Sequence, residues 1–354
     1  MHILIIGGTG FIGRPLVNRL SKQGHNLAVV HRGRSRDELP EGVTSLICQG
    51  ASLVDRAGLA ELKPAIERFV PDVAIDLIAM TEASAQAVVS LLAGIAGRLV
   101  VISSQDVYLA YDRLRRLVAG PPESLLLSES ARLRQRLYPY RGEEFHSRSS
   151  AAGWMDDYDK ILVERAAAGD PRLPATILRL PRVYGPGDRQ HRLYPYARRM
   201  ADQRSPILLD QALGGWRWTR GYVADVAQAI ALAACHPLAS GQVYNLGEAD
   251  PQTEWDWIRL IGEACDWKGQ LLEVPGEQLP EHLKFPYDPS HHLWFDTSKI
   301  RRELGFAEEA SLSESLPRTL EWELANPPLS LPALQVEYAA EDRAIAAILK
   351  DASA

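Results

Sequence analysis

Short apolar runs rich in β-branched residues alternate with stretches of helical period through the first half of the chain. That alternation predicts an α/β fold, a doubly wound parallel sheet of the Rossmann type joined by right-handed crossovers. The expected strands are His2 to Ile6, Asn26 to His31, Thr44 to Cys48, Asp72 to Ile78, Arg98 to Ser103, Ala175 to Leu180 and Gln242 to Leu246. From Ala110 to Ser150 the rhythm fails. This stretch holds Pro121-Pro122, a basic run and Tyr138-Pro139-Tyr140-Arg141-Gly142, and it reads as an insertion near a functional site. Beyond Leu180 the spacing loosens into a smaller, discontinuous α/β lobe, interrupted by a helix from Asp225 to Ala234 and the Gln242 strand. The expected division is 1–180 with 222–249 for nucleotide binding, 181–221 with 250–325 for a substrate lobe, and 326–354 as a C-terminal extension. The extension opens with two prolines and ends in an alanine-rich amphipathic stretch, expected to dock on the surface or on a partner.

Composition narrows the function. Of 354 residues, 46% are apolar and 24% charged, which is enough for a sizeable core, and the net charge of -6 is spread over interspersed signs. No broad positive field is offered to a phosphate backbone, so nucleic acid is an unfavoured partner. No apolar run approaches the roughly 18 residues needed to span a bilayer. Met1 leads straight into the first strand without a basic leader, and a cytoplasmic location is expected. Cys48, Cys235 and Cys265 lie far apart with no metal-type spacing and read as reduced core thiols.

The first strand is followed by Gly7-Gly8-Thr9-Gly10-Phe11-Ile12-Gly13 and then by Leu16, Val17 and Leu20 at helical spacing. Strand, glycine turn and helix in that order make a dinucleotide site. The glycines give a tight turn, admit pyrophosphate to the backbone and pack helix against strand, while the helix N-terminus favours the anion. Cofactor choice turns on the end of the second strand, where an acidic residue would hold the NAD ribose. That position carries His31-Arg32-Gly33-Arg34, and the guanidinium groups of Arg32 and Arg34 favour NADP over NAD.

These residues resemble the extended short-chain dehydrogenase/reductase superfamily, in its NAD-dependent epimerase/dehydratase branch, and Gly7, Gly10 and Gly13 match the family glycines. Val100-Val101-Ile102-Ser103-Ser104, Leu178 to Asp188, Tyr222 to Ala227 and Asp296-Thr297-Ser298-Lys299-Ile300 are similar to four later family landmarks in the right order. The resemblance runs from about Met1 to Trp322. It implies a cofactor set of Gly7, Thr9, Gly10, Phe11, Ile12, Gly13, Arg32, Arg34, Ala79 and Lys160, a small-molecule substrate and a homodimer.

In the resembled family a tyrosine, a lysine four residues later and a serine or threonine move hydride and proton, the lysine lowering the phenol pKa. Lys160, followed by Ile-Leu-Val-Glu, matches the lysine, and Asp156 then stands where the tyrosine belongs. Tyr158 is only two residues before Lys160. In a regular helix from Trp154 to Glu164 it points about 200° round the axis from the lysine. This departure resembles atypical members, including relatives of the chloroplast stem-loop-binding proteins.

Three readings of the site follow. In the first the chain is an NAD(P)-dependent oxidoreductase or epimerase/dehydratase-like enzyme acting on a hydroxylated small molecule such as a nucleotide sugar. Lys160 then holds the nicotinamide ribose, Ser104 binds substrate, and Asp106, Asp156 or Tyr158 moves the proton. Asp106 falls where sugar dehydratases carry Thr-Asp-Glu. The second is a cofactor-binding protein without turnover, with Asp156 paired to Lys160 at i, i+4. The third is an RNA-binding relative using Arg113, Arg115, Arg116, Arg132, Arg134 and Arg136, residues that equally suit a solvated face. Arg182, Tyr184 and Arg220 are expected substrate contacts, and Trp216, Trp218 and Tyr222 line either the pocket or the lobe core. His146 and His291-His292 lack metal-type spacing, and no metal is expected.

Overall fold

Along the opening strand, Ile3 and Ile5 face one apolar cluster and Leu4 and Ile6 another, and none of the four has exposed surface. A strand buried on both faces needs helices on both sides, and this alternation is what winds the sheet doubly. The structure, a computed structural model, describes residues 1–34, 39–50, 52–123, 125–142, 153–328 and 337–351.

The elements in chain order are β1 (His2–Ile6), α1 (Gly13–Lys22), β2 (Asn26–His31), β3 (Thr44–Ile47), α2 (Lys63–Phe69), β4 (Val73–Asp76), α3 (Glu82–Leu92), β5 (Arg98–Ser104) and α4 (Leu109–Leu114). There follow α5 (Lys160–Ala167), β6 (Ala175–Leu180), β7 (Arg182–Tyr184), α6 (Tyr194–Ala201), β8 (Ile207–Asp210), α7 (Gln211–Gly214), β9 (Arg220–Tyr222) and α8 (Val223–Cys235). The last are β10 (Val243–Asn245), α9 (Glu254–Ala264), β11 (Leu271–Val274), α10 (Ser298–Leu304), α11 (Leu312–Ala325) and α12 (Tyr338–Asp351).

Seven strands form one sheet in the order β10-β6-β5-β4-β1-β2-β3, with every pairing parallel. The seven expected strands are these seven, to within two residues at their ends. On one face α8 packs against α1, and on the other α3 packs against α5. The chain order reverses between β1 and β4, and that switch point opens the crevice at the C-terminal ends of the strands.

Two further parallel pairs, β7 with β9 and β8 with β11, belong to the smaller assembly of α6, α7, α9 and α11. None of these four short strands was among those expected from the sequence. The C-terminal α12 docks on β8 and β11: Ala344, Ile345 and Ile348 cover Leu208, Val274 and Leu279, and Glu341 pairs with Arg199 at 2.6 Å. All three cysteines are free, Cys48 buried in the core and Cys235 and Cys265 half-buried against it. Among the described residues no helix is long and apolar enough to cross a membrane.

Candidate active site

The glycine turn fits a dinucleotide. Gly7 has φ +94°, and a Cβ on Gly13 would lie 2.5 Å from the Gly7 carbonyl oxygen, so helix and turn touch there without a side chain between them. A Cβ on Gly10 would meet only that same carbonyl oxygen, at 3.6 Å, which leaves the outer side of the turn open to an approaching diphosphate. No side chain caps α1, and its first turn holds no carboxylate to compete with an anion. Thr9, Phe11 and Ile12 complete this turn. At the end of β2, Arg32 and Arg34 are exposed, and His31 bonds Ser45 at 2.7 Å.

Ser104 ends β5, and its hydroxyl accepts the Asp106 amide at 3.2 Å, which turns the chain and buries Asp106. Across the crevice α5 begins at Lys160 because Asp159 caps it, accepting the amides of Ile161 and Leu162 at 2.8 and 3.3 Å. The expected continuous helix from Trp154 is thereby corrected. Residues Met155–Asp157 form a 3₁₀ turn, and Tyr158 is extended, at φ -62° and ψ 123°. A β-bridge from Tyr158 to Thr81 and an amide bond from Asp159 to the Met80 carbonyl hold that extended backbone against the end of β4.

Extended backbone removes the helical argument that pointed Tyr158 away from Lys160. The phenol is buried and donates to Asp106 Oδ2 at 2.7 Å, and Lys160 Nζ lies 5.9 Å from its ring centre. Lys160 Nζ donates to the carbonyls of Ala79 and Ile102 at 2.6 and 2.9 Å, so Ala79 also falls at this end of the crevice. Asp156 is elsewhere. It is exposed on the 3₁₀ turn and accepts the Gly142 amide at 3.1 Å, so the i, i+4 pair with Lys160 is absent. The cap broke the helix on which that pairing depended.

Burial dominates the electrostatics. It raises the Asp106 pKa against the opposing pull of Arg134, the Tyr158 hydrogen bond and Lys160. It raises Tyr158 well above the phenol range, with the Asp106 charge adding to the effect, and it lowers Lys160 to about 8. A free phenolate is therefore disfavoured here, whereas a phenol leaning on a carboxylate is what the geometry provides.

Sequence reasoning missed four contributors. Arg134 and Asp159 form a fully buried pair at 2.9 Å, and Arg134 Nε also donates to the Asp106 carbonyl at 3.1 Å. Tyr140 donates to Asp106 Oδ2 at 3.3 Å, and its hydroxyl lies 3.2 Å from that of Tyr111. The Tyr-Pro-Tyr run within the irregular stretch was the available signal. The arginine cluster is not one basic face. Arg113 pairs with Glu123 and is buried like Arg134, while Arg115 donates to the Pro139 carbonyl at 3.2 Å.

On the substrate side Arg182 stacks 5.1 Å from the Trp218 ring, and Tyr184 and Arg220 are buried, Arg220 paired with Glu254. Arg182, Tyr184, Arg220, Arg192, Tyr196 and Trp257 are among the residues lining one cavity of only about 10 Å³, which does not reach Asp106 or Tyr158. A second, of about 200 Å³, lies between Tyr222, Glu248 and Phe306 and touches neither Asp106 nor Tyr158. Trp216 is buried in an apolar cluster with Val107, Tyr108 and Phe295, and Tyr222, also buried, lines the second cavity. His291 is buried, His292 accepts the Arg217 amide at 3.1 Å, and His146 lies outside the described residues. Among the described residues no group of three metal-ligating side chains occurs.

With this geometry in place, the likeness to known proteins is informative. The model of the NAD dependent epimerase/dehydratase family matches residues 3–110 and 158–247. The chain belongs to that family. The matched regions contain the glycine turn, Ser104, Asp106, Tyr158 and Lys160, while residues 111–157, with Tyr111, Arg134 and Tyr140, fall between them. The UDP-N-acetyl-alpha-D-glucosaminuronate decarboxylase of Bacillus cytotoxicus is 24% identical over 342 residues, 90% of this chain and 96% of that protein. Two solved structures share the fold. The UDP-glucuronic acid 4-epimerase of Bacillus cereus, in complex with UDP-glucuronic acid and NAD, has a TM-score of 0.64 at 18% identity, over 92% of this chain and 99% of that one. The dTDP-glucose 4,6-dehydratase of Bacillus anthracis, in complex with NAD, gives 0.65 at 17%, over 94% and 99%.

Proposed function

We propose that the chain is an NAD(P)-dependent enzyme that oxidises a carbinol centre of a nucleotide sugar to a carbonyl or reduces the carbonyl to the carbinol, with Tyr158 and Asp106 moving the proton. The observation that carries this reading is the 2.7 Å hydrogen bond from the buried phenol to the buried carboxylate, made beside Lys160 at the end of β5. When bound, the cofactor takes or gives the hydride. Tyr158 oxygen then accepts the substrate hydroxyl proton as its own proton passes to Asp106 Oδ2, and reduction runs the transfer backwards. Such a relay avoids the free phenolate that burial disfavours. Ser104 orients substrate, and the third donor of Lys160, beyond the two held by Ala79 and Ile102, serves the cofactor ribose.

Residues 31–34 carry two arginines and no carboxylate, which favours NADP over NAD. The nucleotide-sugar class draws support from the relatives and solved neighbours whose names carry such sugars. Residues 181–221 with 250–325 act as the lobe that holds it.

The test is turnover with NADP and NAD on UDP-glucose, UDP-glucuronic acid and dTDP-glucose, in the natural chain and in Tyr158→Phe and Asp106→Asn. Each substitution is expected to lower kcat by about 10²–10⁴ while cofactor affinity stays within a few fold. Undiminished turnover in both variants removes the proposal, and tighter binding of NAD than of NADP removes the cofactor preference.

A further inference from the structure

Residues 111–157 lie outside the family match, yet Tyr140 and Arg134 from this stretch bond Asp106, and Tyr111 bonds Tyr140. The Tyr140 hydroxyl reaches Asp106 Oδ2, the same oxygen that accepts Tyr158, and the two rings are 5.2 Å apart between centres. Asp106 Oδ1 is buried and has no hydrogen-bond partner among the described residues. Both side-chain donors on this carboxylate are thus phenols, and one comes from the unmatched segment.

That segment is pinned in place. The Tyr138 amide donates to Asp159 Oδ2 at 2.7 Å, so the residue that caps α5 also anchors the run leading to Tyr140. The Arg115 guanidinium lies 5.1 Å from the centre of the Tyr140 ring, and Tyr111 bonds the Tyr140 hydroxyl from behind. Ordering a tyrosine this tightly costs side-chain entropy, and packing alone would be served as well by phenylalanine.

We propose that Tyr140 is a positioning residue for the proton relay: its hydroxyl holds the Asp106 carboxylate in place and favours its ionised form, so that Asp106 can take the proton that Tyr158 releases. The proposal rests on the reading of Tyr158 and Asp106 as the proton-moving pair. A hydrogen bond donated to a carboxylate stabilises the charged form, and its removal raises the pKa. Other groups act on Asp106 from every side. Arg134 and Lys160 favour the ionised form; Asp112 on α4 opposes it, as does burial. Asp159 is neutralised by Arg134, Ser104 holds the Asp106 amide, and Tyr111 acts through Tyr140. The Tyr140 hydrogen bond acts in the same direction as Arg134, the Tyr158 hydrogen bond and Lys160, and is the smallest of the four.

The experiment reads Asp106 directly. Full-length protein carrying carbon-13 at aspartate side-chain carboxyls is titrated by NMR, and the Asp106 signal is identified by its loss in Asp106→Asn. Tyr140→Phe keeps the ring and is expected to raise the Asp106 pKa by about 0.5–1 unit, given a bond at the long end of the hydrogen-bond range. Tyr111→Phe should raise it less, and 3-fluorotyrosine at position 140, a stronger donor, should lower it. On any nucleotide sugar that turns over, the acid limb of kcat/KM in Tyr140→Phe moves to higher pH by the same amount. An Asp106 titration unmoved by Tyr140→Phe overturns the proposal; if that variant does not fold, an unmoved titration with 3-fluorotyrosine does so. Because the NMR arm needs neither cofactor nor substrate, a shifted titration without turnover would keep the hold of Tyr140 on Asp106 while the functional reading, and with it the part in a relay, fell.

Discussion

Two glycines of the first turn, only three residues apart, should fail in different ways when replaced by alanine. A Cβ on Gly13 would stand 2.5 Å from the Gly7 carbonyl oxygen and 2.7 Å from the Gly8 carbonyl carbon and Cα. Ordinary contact begins near 3.4 Å, so backbone on one side must yield by about 0.7–0.9 Å, and neither side is a flexible side-chain tip. Overpacking of this kind costs about 1–3 kcal/mol, and it displaces the amides that receive the diphosphate. Gly13→Ala should therefore melt a few degrees lower and bind NADP about 100-fold more weakly, a loss of about 2.7 kcal/mol. Gly10→Ala meets only one atom, at 3.6 Å, and Gly10 does not need positive φ. Its methyl is tolerated by the fold but projects from the open side of the turn. The expected result is an unchanged melting temperature with a similar loss of affinity. Thermal melts without cofactor and fluorescence titration with NADPH measure both quantities. If Gly10→Ala binds NADPH as tightly as the natural chain, or if Gly13→Ala melts no lower, the reasoning about this turn is wrong.

Other substitutions probe the site and its supports. Burial lowers the Lys160 amine from 10.5 to about 8, so between those pH values the unfolded chain binds more protons than the folded one and stability rises with pH. Lys160→Met should abolish this rise, on the order of 3 kcal/mol in full, and urea melts from about pH 7.5 to 10.5 will show it. Loss of the same charge should place the alkaline limb of kcat near pH 8 if turnover needs the ammonium. Asp159→Ala strands the buried Arg134 charge and uncaps α5, so it should cost about 3–5 kcal/mol and release the Tyr138 amide to rapid hydrogen exchange. Ending the chain at Asn326 uncovers Leu208, Val274 and Leu279, and hydrogen exchange in β8 and β11 should accelerate while that of β1 and β4 stays unchanged.

The parallel sheet was legible because most of its strands are four to seven residues of nearly unbroken apolar sequence, and the cofactor turn because glycine spacing there reflects contacts no other residue permits. No such run marks β7 or β9, three residues each, which take their conformation from partners distant in sequence. At the site, Lys160, Asp106 and Ser104 were recognisable by motif. The placement of Tyr158 was not, because helical period was extended upstream past Lys160 to Trp154; an aspartate directly before an apolar helical run was the available cap signal. Tyr111, Arg134 and Tyr140 act through contacts between residues 25 to 34 positions apart, a separation at which neither period nor spacing carries information.

The cap at Asp159 has a bearing on how proteins of this kind are recognised. It places the phenol on one structural unit, a stretch tied to the end of β4, and the amine on another, the first turn of α5. The separation in sequence between the two is then set by where the helix is made to start rather than by its pitch. Searches that insist on a tyrosine and a lysine one turn apart will discard chains built this way, whereas a tyrosine, a capping aspartate and a lysine in immediate succession would retrieve them.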